Sequence, residues 1–278
     1  MPVFGLGTWM MGGDKNYNPK NNDKADILAI ENAIEAGITH IDTAQNYAAG
    51  HAEKLVGTAI KGYRRSSLFI TTKLDKSNLK YEDVLSSALG SLERMALSYI
   101  DLLLIHSPNP EVSIKETIKA MDKLKAEGLI KNLGVSNFSV ERFKRAQYYS
   151  QNKIAVNQLH YNLVYRESER KGLIDFCQKN DVIFIAFRPI EKGLLAQRGI
   201  KVLDAVCQKY NKTPSQVAIN WLVSQKNITT ISKISDLVHL KESLAALDWQ
   251  MAEEDIELLK KEIPAHIPEL PDHVFPLI

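Results

Sequence analysis

Short apolar runs alternate with amphipathic segments along the whole chain. Runs that are short, rich in β-branched residues and bounded by polar or glycine residues are typical of strands. They span Val3–Gly7, Thr39–Asp42, Leu68–Lys73, Ile100–His106, Leu133–Ser136, Ala155–Leu159, Val182–Phe187 and Ile228–Ile231. The segments between them carry apolar residues at helical spacing, so each helix is expected to bury one face. Two such faces comprise Val84, Leu85, Ala88, Leu89 and Leu92, and Ile114, Ile118, Met121 and Leu124.

Boundary residues support this assignment of helices. Ser113 with Glu116 predicts a capping box, and Thr213-Pro214-Ser215-Gln216 predicts a second one with proline at the first helical position. Gly37 and Gly128 each follow a helical pattern and precede an apolar run, so both are predicted to end a helix in the left-handed conformation. The chain therefore reads as alternating strands and helices.

Alternation of buried strands with helices predicts parallel strands joined by right-handed crossovers. About eight such units in 278 residues favour a single closed (β/α)8 TIM barrel, an α/β fold, over an open doubly wound sheet, which remains the alternative. No linker, repeat or low-complexity segment interrupts the pattern. One domain over residues 1–278 is the expectation.

Composition and charge exclude several classes. Hydrophobic residues make up 45% and charged residues 24%, close to the soluble globular average. Thirty-five basic residues against 33 acidic ones leave a net charge of +2, which argues against a nucleic-acid partner. The short basic cluster Lys61–Arg65 is interpreted as a solvated loop.

The cysteines and the start of the chain also narrow the possibilities. Cys177 and Cys207 are the only two cysteines and lie far apart, so they predict packed thiols rather than a disulfide framework or a zinc site. The start, Met1–Gly7, has neither a basic region nor a long apolar run. It predicts no signal peptide and no membrane span, and a cytoplasmic location is expected.

Polar residues stand at the carboxyl ends of three consecutive predicted strands. Asp42, Lys73 and His106 end the second, third and fourth strands, and Tyr47 follows Asp42 by five residues. Taken singly, each has a plain structural reading as a turn cap, a solvent-reaching lysine or a core histidine. Together they favour a functional site, because barrel enzymes carry their chemistry at this rim.

The four groups suit protonation of a carbonyl oxygen. A phenol has a pKa near about 10 in water, and a neighbouring ammonium lowers it, so Lys73 is expected to lower the pKa of Tyr47. Asp42 would keep Lys73 charged and oriented. His106 could hydrogen-bond the substrate oxygen and align it. This chemistry requires no metal.

At this point the sequence resembles the aldo-keto reductase family over essentially its whole length. The residues that carry the resemblance are Gly5–Trp9, Gly37–Ala44 followed by Tyr47, Thr72–Leu74, Leu104–Pro108 and Gly134–Phe138. The resemblance implies that Asp42, Tyr47, Lys73 and His106 form the catalytic tetrad, with Tyr47 as the general acid. It also implies reversible reduction of a small-molecule aldehyde or ketone by a nicotinamide cofactor.

The cofactor residues implied by the resemblance lie after the fifth to seventh strands. Ser136, Asn137 and Gln158 match the groups that hold the nicotinamide carboxamide. Phe187 takes the place of the aromatic residue, often tyrosine, that stacks on the nicotinamide. Arg188 replaces a small residue beside the expected pyrophosphate, and it is interpreted either as a phosphate contact or as a surface salt bridge.

The eighth strand is the segment where the family usually settles cofactor choice. Its lysine is present as Lys233, but the arginine six residues later is His239, and Glu242 precedes a serine in place of asparagine. Histidine is only partly charged at neutral pH and offers no bidentate fork. NADPH is therefore the expected cofactor, with NADH possible.

The substrate side of the site is expected to include Trp9, His106 and Phe275, the last in an apolar tail. Only six residues separate His106 from Ser113, which predicts an open site with broad substrate tolerance. Two alternatives remain. Lys73 could form a Schiff base in a barrel lyase, or the chain could be a non-catalytic nicotinamide-binding subunit.

Overall fold

A computed structural model describes residues 1–265 of the chain. Its strands are all parallel, and each is hydrogen-bonded to the next until the last pairs with the first, which closes a barrel. The strands are β1 Phe4–Gly7, β2 His40–Asp42, β3 Phe69–Leu74, β4 Ile100–Ile105, β5 Ile130–Ser136, β6 Ile154–His160, β7 Ile183–Phe187 and β8 Ile228–Ser232.

The helices pack around the outside of the barrel. They are α1 Asp23–Glu35, α2 His51–Ala59, α3 Tyr81–Met95, α4 Ile114–Ala126, α5 Val140–Tyr149, α6 Glu167–Arg170, α7 Leu173–Lys179, α8 Lys201–Tyr210, α9 Pro214–Val223, α10 Leu237–Leu244 and α11 Glu253–Glu262. Short 3-10 turns cover Tyr47–Gly50, Ile60–Gly62, Arg65–Ser67 and Glu191–Ala196. Within residues 1–265, no helix has the length and hydropathy needed to cross a bilayer.

The predicted (β/α)8 barrel is confirmed, and every predicted strand is present. The largest boundary difference is at β5, which begins at Ile130, three residues before the predicted start. The open-sheet alternative is excluded because Gly5 of β1 pairs with Ile231 of β8.

Of the predicted helix ends, those at Thr213, Gly37 and Gly128 are confirmed, and the one at Ser113 is wrong. Thr213 Oγ1 accepts from Gln216 N at 3.2 Å and Gln216 Oε1 accepts from Thr213 N at 3.0 Å, which confirms that capping box. Gly37 and Gly128 have φ of +94° and +76°, as predicted. The box at Ser113 was wrong: its side chain makes no capping bond, and the first turn is closed by Glu116 N donating to the Ser113 carbonyl at 3.0 Å.

Two surface predictions need correction, and one prediction about the core holds. Leu89 was assigned to a buried helix face but is 52% exposed. Arg65, assigned to a solvated loop, instead pairs with Asp101 at 2.5 Å because its side chain folds back onto the start of β4.

Both cysteines are buried free thiols, and burial raises the pKa of Cys177 to about 12 and of Cys207 to about 11. They are therefore packed and unreactive.

The interior of the barrel below the rim is filled by side chains. Five apolar side chains pack together there: Leu102, Leu104, Val156, Ile185 and Ile231. Buried His40 lies in contact with this interior, where its Nε2 shares a hydrogen bond with Thr71 Oγ1 at 3.0 Å. The imidazole fits because the facing residue of β1 is Gly5: a Cβ added there would lie 2.5 Å from His40 Nδ1.

Gly5→Ala tests this close approach. The added methyl group would have to displace the buried imidazole, and overpacking of this kind lowers the free energy of unfolding by about 1–3 kcal/mol. Urea unfolding followed by circular dichroism measures it. Gly62→Ala is the matched control, because a Cβ at Gly62 meets nothing within 4 Å. Equal unfolding midpoints for the two variants would show that the interior yields without cost.

Candidate active site

Asp42, Lys73, Tyr47 and His106 come together at the carboxyl-terminal rim of the barrel. The Lys73 ammonium lies at the centre: its Nζ is 2.5 Å from Asp42 Oδ1, 2.8 Å from the Thr43 carbonyl and 3.5 Å from the Tyr47 hydroxyl. The Tyr47 and His106 rings meet edge to face with centroids 5.7 Å apart. The predicted grouping of these four residues is therefore present in space.

The ends of neighbouring strands position the charged pair. Asp42 is the last residue of β2, and Lys73 is the next-to-last residue of β3, which pairs with β2. Thr8 holds the backbone of Asp42 by donating from its N and Oγ1 to the Asp42 carbonyl at 2.9 and 3.1 Å. The second carboxylate oxygen of Asp42 accepts from Gln158 Nε2 at 2.8 Å. The carboxylate is thus held by side chains from two strands, β3 and β6, and its backbone is held by Thr8, the residue after β1.

Lys73 is a completely buried ammonium. Burial by itself lowers its pKa, but the adjacent Asp42 carboxylate and Tyr47 oxygen more than offset this, and the pKa is raised above its ordinary value. Lys73 therefore stays charged. Because an ammonium can only donate, the Tyr47 oxygen accepts from it, and the phenolic hydrogen is left for another acceptor.

The pKa of Tyr47 corrects one prediction. Burial raises this pKa, and the Lys73 charge lowers it by less, so the net direction is upward rather than downward. Tyr47 is therefore a neutral phenol at pH 7. The ammonium beside it favours the phenolate, but its effect on the pKa is smaller than that of burial.

An unusual turn fixes the backbone of Tyr47. The next two residues, Ala48 and Ala49, have φ of +48° and +54°, a backbone conformation that residues other than glycine rarely adopt. Their amides donate to the carbonyls of Asp14 and Lys15 at 2.7 and 2.9 Å. The β1–α1 connection thus holds a strained turn that sets the direction of the phenol.

His106 presents a neutral imidazole to the site. Burial, and secondly the charge of Lys73, lower its pKa to about 3. Its Nδ1 is buried and has no hydrogen-bond partner among residues 1–265. A neutral ring carries one N–H donor, so His106 can donate to a ligand oxygen without adding charge.

Trp9 lies against the phenol, and its place on the substrate side stays a prediction. Its ring meets that of Tyr47 edge to face at 4.8 Å, and the residue is 40% exposed, which does not fit a core aromatic. Phe275 lies outside the described residues.

The polar residues after β5 and β6 form a connected group beside the tetrad. Asn137, at φ +62°, donates from Nδ2 to the His106 carbonyl at 3.0 Å and to Ser136 Oγ at 3.1 Å. Its backbone N donates to the Gln158 carbonyl at 3.0 Å. Gln158 reaches Asp42, so the predicted cofactor residues and the tetrad share one hydrogen-bond network.

Phe187 belongs to a stack of three rings. His160 lies parallel to Phe187 with centroids 5.3 Å apart and to Tyr165 with centroids 3.8 Å apart. His160 Nε2 is 2.6 Å from Glu191 Oε2, and both residues are buried. Sequence reasoning missed these three partners. The available signal was the alternation along β6, which puts His160 on the same face as Gln158.

Of the two interpretations of Arg188, the surface salt bridge is not found among the described residues, and the phosphate contact stays a prediction. It has φ +59° and is partly buried, and its Nη1 is buried without a hydrogen-bond partner from the described residues. It makes no ion pair with a carboxylate in the described part of the chain.

The residues predicted for the adenosine end lie on and before α10. Lys233 follows β8 and is exposed. His239 Nδ1 is 2.8 Å from Asp236 Oδ2, and Asp236 also caps the helix by accepting from His239 N at 2.8 Å. Glu242 accepts from Thr213 Oγ1 at 2.7 Å. Asp236 is a carboxylate that the sequence analysis overlooked.

These residues fit a nicotinamide dinucleotide. A partly exposed aromatic ring, amide and hydroxyl groups at two strand ends, and a guanidinium with an unpartnered nitrogen line one rim. Between residues 1 and 265, no three His, Cys, Asp or Glu side chains gather in a way that could hold a metal ion.

The lowered pKa of His106 makes stability depend on pH. The unfolded chain binds a proton on this histidine near about pH 6.5, whereas the folded chain does so only near about pH 3. The contribution of His106 to the free energy of unfolding is therefore complete above about pH 6.5. Between about pH 6.5 and pH 3 it decreases by roughly 1.4 kcal/mol for each unit by which the pH is lowered. Urea unfolding from pH 7 to pH 4 should show wild type losing stability relative to His106→Gln. Parallel curves would contradict the buried neutral imidazole.

Comparison with known proteins gives consistent matches. The sequence profile of the Aldo/keto reductase family matches residues 3–263. The methylglyoxal reductase YeaE of Escherichia coli is 31% identical over 269 residues, which cover 95% of this chain and 92% of that protein. The glyoxal reductase of Bacillus subtilis is 32% identical over 92% of this chain and 87% of its own length.

Solved structures agree in fold. The thermostable aldo-keto reductase Tm1743, in complex with epalrestat, superposes with a TM-score of 0.91 and 38% identity over 94% of this chain and 95% of that one. An aldo-keto reductase from Klebsiella pneumoniae in complex with NADPH gives a TM-score of 0.85 and 29% identity over 99% and 95%. With the barrel and the family match covering nearly its whole length, the chain belongs to the aldo/keto reductase family.

Proposed function

We propose that this chain reduces small aldehydes and ketones to alcohols, reversibly, with NADPH as its preferred cofactor and NADH as a possible one. The observation that carries the proposal is the Lys73 ammonium, held by Asp42 and set 3.5 Å from the Tyr47 hydroxyl. Residues 1–278 are proposed to act as one barrel domain, in the cytoplasm.

Tyr47 is the proposed proton donor. Its raised pKa keeps the proton on the phenol at neutral pH, so the acid is present when a substrate arrives. An alkoxide that forms on the substrate oxygen is a far stronger base than a phenolate and takes that proton. Lys73 then stabilises the phenolate left behind, and Asp42 prevents the ammonium from losing its own proton.

His106 is the proposed guide for the substrate oxygen. It is neutral, so it polarises a carbonyl by one N–H donor and does not compete with Tyr47 as an acid. Its ring edge meets the phenol ring, so both groups can reach one oxygen atom. Orientation of that oxygen in a buried cleft is worth much of the rate in reactions of this kind.

Cofactor binding is assigned to the adjoining rim. A bound reduced nicotinamide supplies the hydride. Ser136, Asn137 and Gln158 would hold its carboxamide, and Phe187 would lie against its ring. The stack behind Phe187 supports the plane of that contact, because the His160 ring lies at 12° to the Phe187 ring and the Tyr165 ring at 11° to the His160 ring.

At the adenosine end, Lys233, His239 and Glu242 are assigned to the nucleotide. Asp236 lowers the positive charge available there because its carboxylate already pairs with His239. A 2′-phosphate would therefore gain less than it would from an arginine fork. This supports a preference for NADPH that is softer than an arginine would give.

The substrate class is proposed from the rim and from the relatives. Curated relatives include reductases named for methylglyoxal and glyoxal, both small dicarbonyl compounds. Trp9 gives the entrance an exposed apolar ring, and the short connection after β4 leaves that side of the rim open. Small aldehydes with varied substituents are the proposed substrates.

The two alternatives are less well supported. A Schiff-base lyase needs a neutral lysine amine, whereas Lys73 is a buried ammonium with raised pKa and three hydrogen-bond acceptors around it. A non-catalytic subunit would not need the buried Asp42–Lys73 pair, which is costly to maintain without a use for its charge.

Tyr47→Phe tests the proposal. We expect wild type to consume NADPH with methylglyoxal, and the variant to lose at least about 100-fold in kcat, the usual contribution of a general acid. NADPH affinity, measured by fluorescence titration, should stay within twofold. Tyr17→Phe is the control: this tyrosine is 43% exposed, and its ring lies 4.1 Å from that of His51 at an angle of 39°. Substantial turnover by Tyr47→Phe would remove Tyr47 from the mechanism.

His239→Arg tests the assignment of the adenosine end. An arginine there can add a charge-assisted hydrogen bond to the 2′-phosphate, so the Kd of NADPH should fall roughly tenfold while that of NADH changes little. Titration of both dinucleotides measures this. Lys241→Arg, an exposed change on the same helix, should leave both values unaltered. Equal changes for the two dinucleotides would place His239 away from the 2′-phosphate.

A further inference from the structure

Glu53 is a completely buried acidic residue that the proposed reaction does not use. It lies in the first turn of α2, directly after the turn Tyr47–Gly50 that carries the phenol. Its Oε1 accepts from Thr72 Oγ1 at 2.6 Å, and its Oε2 accepts from Arg94 Nε at 2.6 Å. A buried carboxylate is costly unless its oxygens are paired, and both are paired here. Glu53 therefore connects α2 to β3 and to α3.

Thr72 links this carboxylate to the strand that holds the ammonium. Side chains alternate across a strand, so Thr72 reaches Glu53 in the helix layer while the next residue, Lys73, reaches Asp42 inside the barrel. Thr72 and Lys73 share one peptide unit. A movement of Thr72 away from Glu53 would therefore also move the backbone from which the Lys73 side chain extends.

Arg94 extends the same connection to the turn that carries Tyr47. Its side chain lies between two glycines: a Cβ at Gly50 would be 2.9 Å from Arg94 Cδ, and a Cβ at Gly90 would be 3.0 Å from Arg94 Nη1. Gly50 has φ +87° and is the residue at which the turn passes into α2. The guanidinium that pairs with Glu53 is thus part of a side chain packed against the end of this turn.

We propose that Glu53 is a positioning residue for proton transfer, which sets the distance between Lys73 Nζ and the Tyr47 hydroxyl. One carboxylate holds both segments, the Lys73 side through Thr72 and the Tyr47 side through Arg94. The distance of 3.5 Å is at the outer limit of a hydrogen bond, so a small further separation would lose the contact. The inference rests on the proposed function, and it adds to it a residue outside the tetrad.

Thr72→Val tests the connection to β3. Valine keeps the shape of threonine but offers Glu53 no donor. We expect kcat with methylglyoxal to fall at least about tenfold, because a displacement of about 1 Å at a reacting group can cost about 100-fold. KM and the Kd of NADPH should stay within twofold, because the lost bond lies in the helix layer. Thr229→Val is the matched control, since the buried Thr229 Oγ1 has no hydrogen-bond partner among the described residues.

Glu53→Gln tests both connections at once, because the amide keeps the length of the side chain but loses the charge that faces Arg94. We expect kcat to fall at least as far as in Thr72→Val, and Glu53→Asp should recover part of the loss. Asp101→Asn is the control for a lost ion pair. Asp101 Oδ2 lies 2.5 Å from Arg65 Nη2 and accepts from Ile70 N at 2.9 Å, so it holds β3 near its opposite end.

Urea unfolding separates positioning from a merely structural role. Asp101→Asn should lower the unfolding midpoint and leave kcat unchanged, whereas Glu53→Gln should lower both. Thr72→Val carries the test if Glu53→Gln does not fold. A loss of kcat in Asp101→Asn equal to that in Glu53→Gln would contradict the positioning role.

A measurement without turnover separates this inference from the proposed function. Tyrosine labelled at Cζ gives an NMR signal for Tyr47, assigned with Tyr47→Phe, which reports the surroundings of the phenol oxygen. At pH 7 this signal should shift in Thr72→Val and Glu53→Gln and coincide with wild type in the two controls. A wild type that reduces no carbonyl would overturn the proposed function alone, and the signal would still decide on Glu53. A Tyr47 signal that stays in place in both variants would overturn the positioning role.

Discussion

The buried pair of Asp42 and Lys73 is the interaction on which the rest of the site depends. Two ions taken out of water lose several kcal/mol of solvation each, and only close geometry with further hydrogen bonds compensates them. The chain supplies that geometry from Thr43, Gln158 and Thr8 as well as from the pair itself. The result is an ammonium that stays charged in a dry interior, where its field on the neighbouring phenol is strong.

Burial then assigns different roles to similar groups on the same rim. It raises the pKa of Tyr47, which keeps its proton, and lowers that of His106, which remains neutral. Lys73 remains positive because of Asp42. A neutral phenol, a neutral imidazole and a fixed positive charge therefore share one rim, the combination that the proposed carbonyl reduction uses.

Much of the fold and the tetrad could be predicted from the sequence. Strand ends share one rim in a parallel barrel, so Asp42, Lys73 and His106 could be placed together from their positions alone. The direction in which the pKa of Tyr47 shifts could not be predicted, because it depends on whether the effect of burial exceeds that of the Lys73 ammonium. Nor could the pairing of His160 with Glu191, since it joins a strand end to a loop through the fold. At Ser113 the sequence predicted a side-chain cap, but the first turn of the helix is closed by a backbone hydrogen bond instead.

The most direct test of the central claim is the single-turnover rate of NADPH oxidation by methylglyoxal at pH 7 in Asp42→Asn, measured by stopped flow beside wild type. Asparagine keeps the shape but removes the charge that holds the ammonium, so the rate constant should fall at least about 100-fold, as for loss of general acid catalysis. NADPH affinity should change far less. A variant that transfers hydride at the wild-type rate would show that the buried ion pair is not what makes Tyr47 a proton donor.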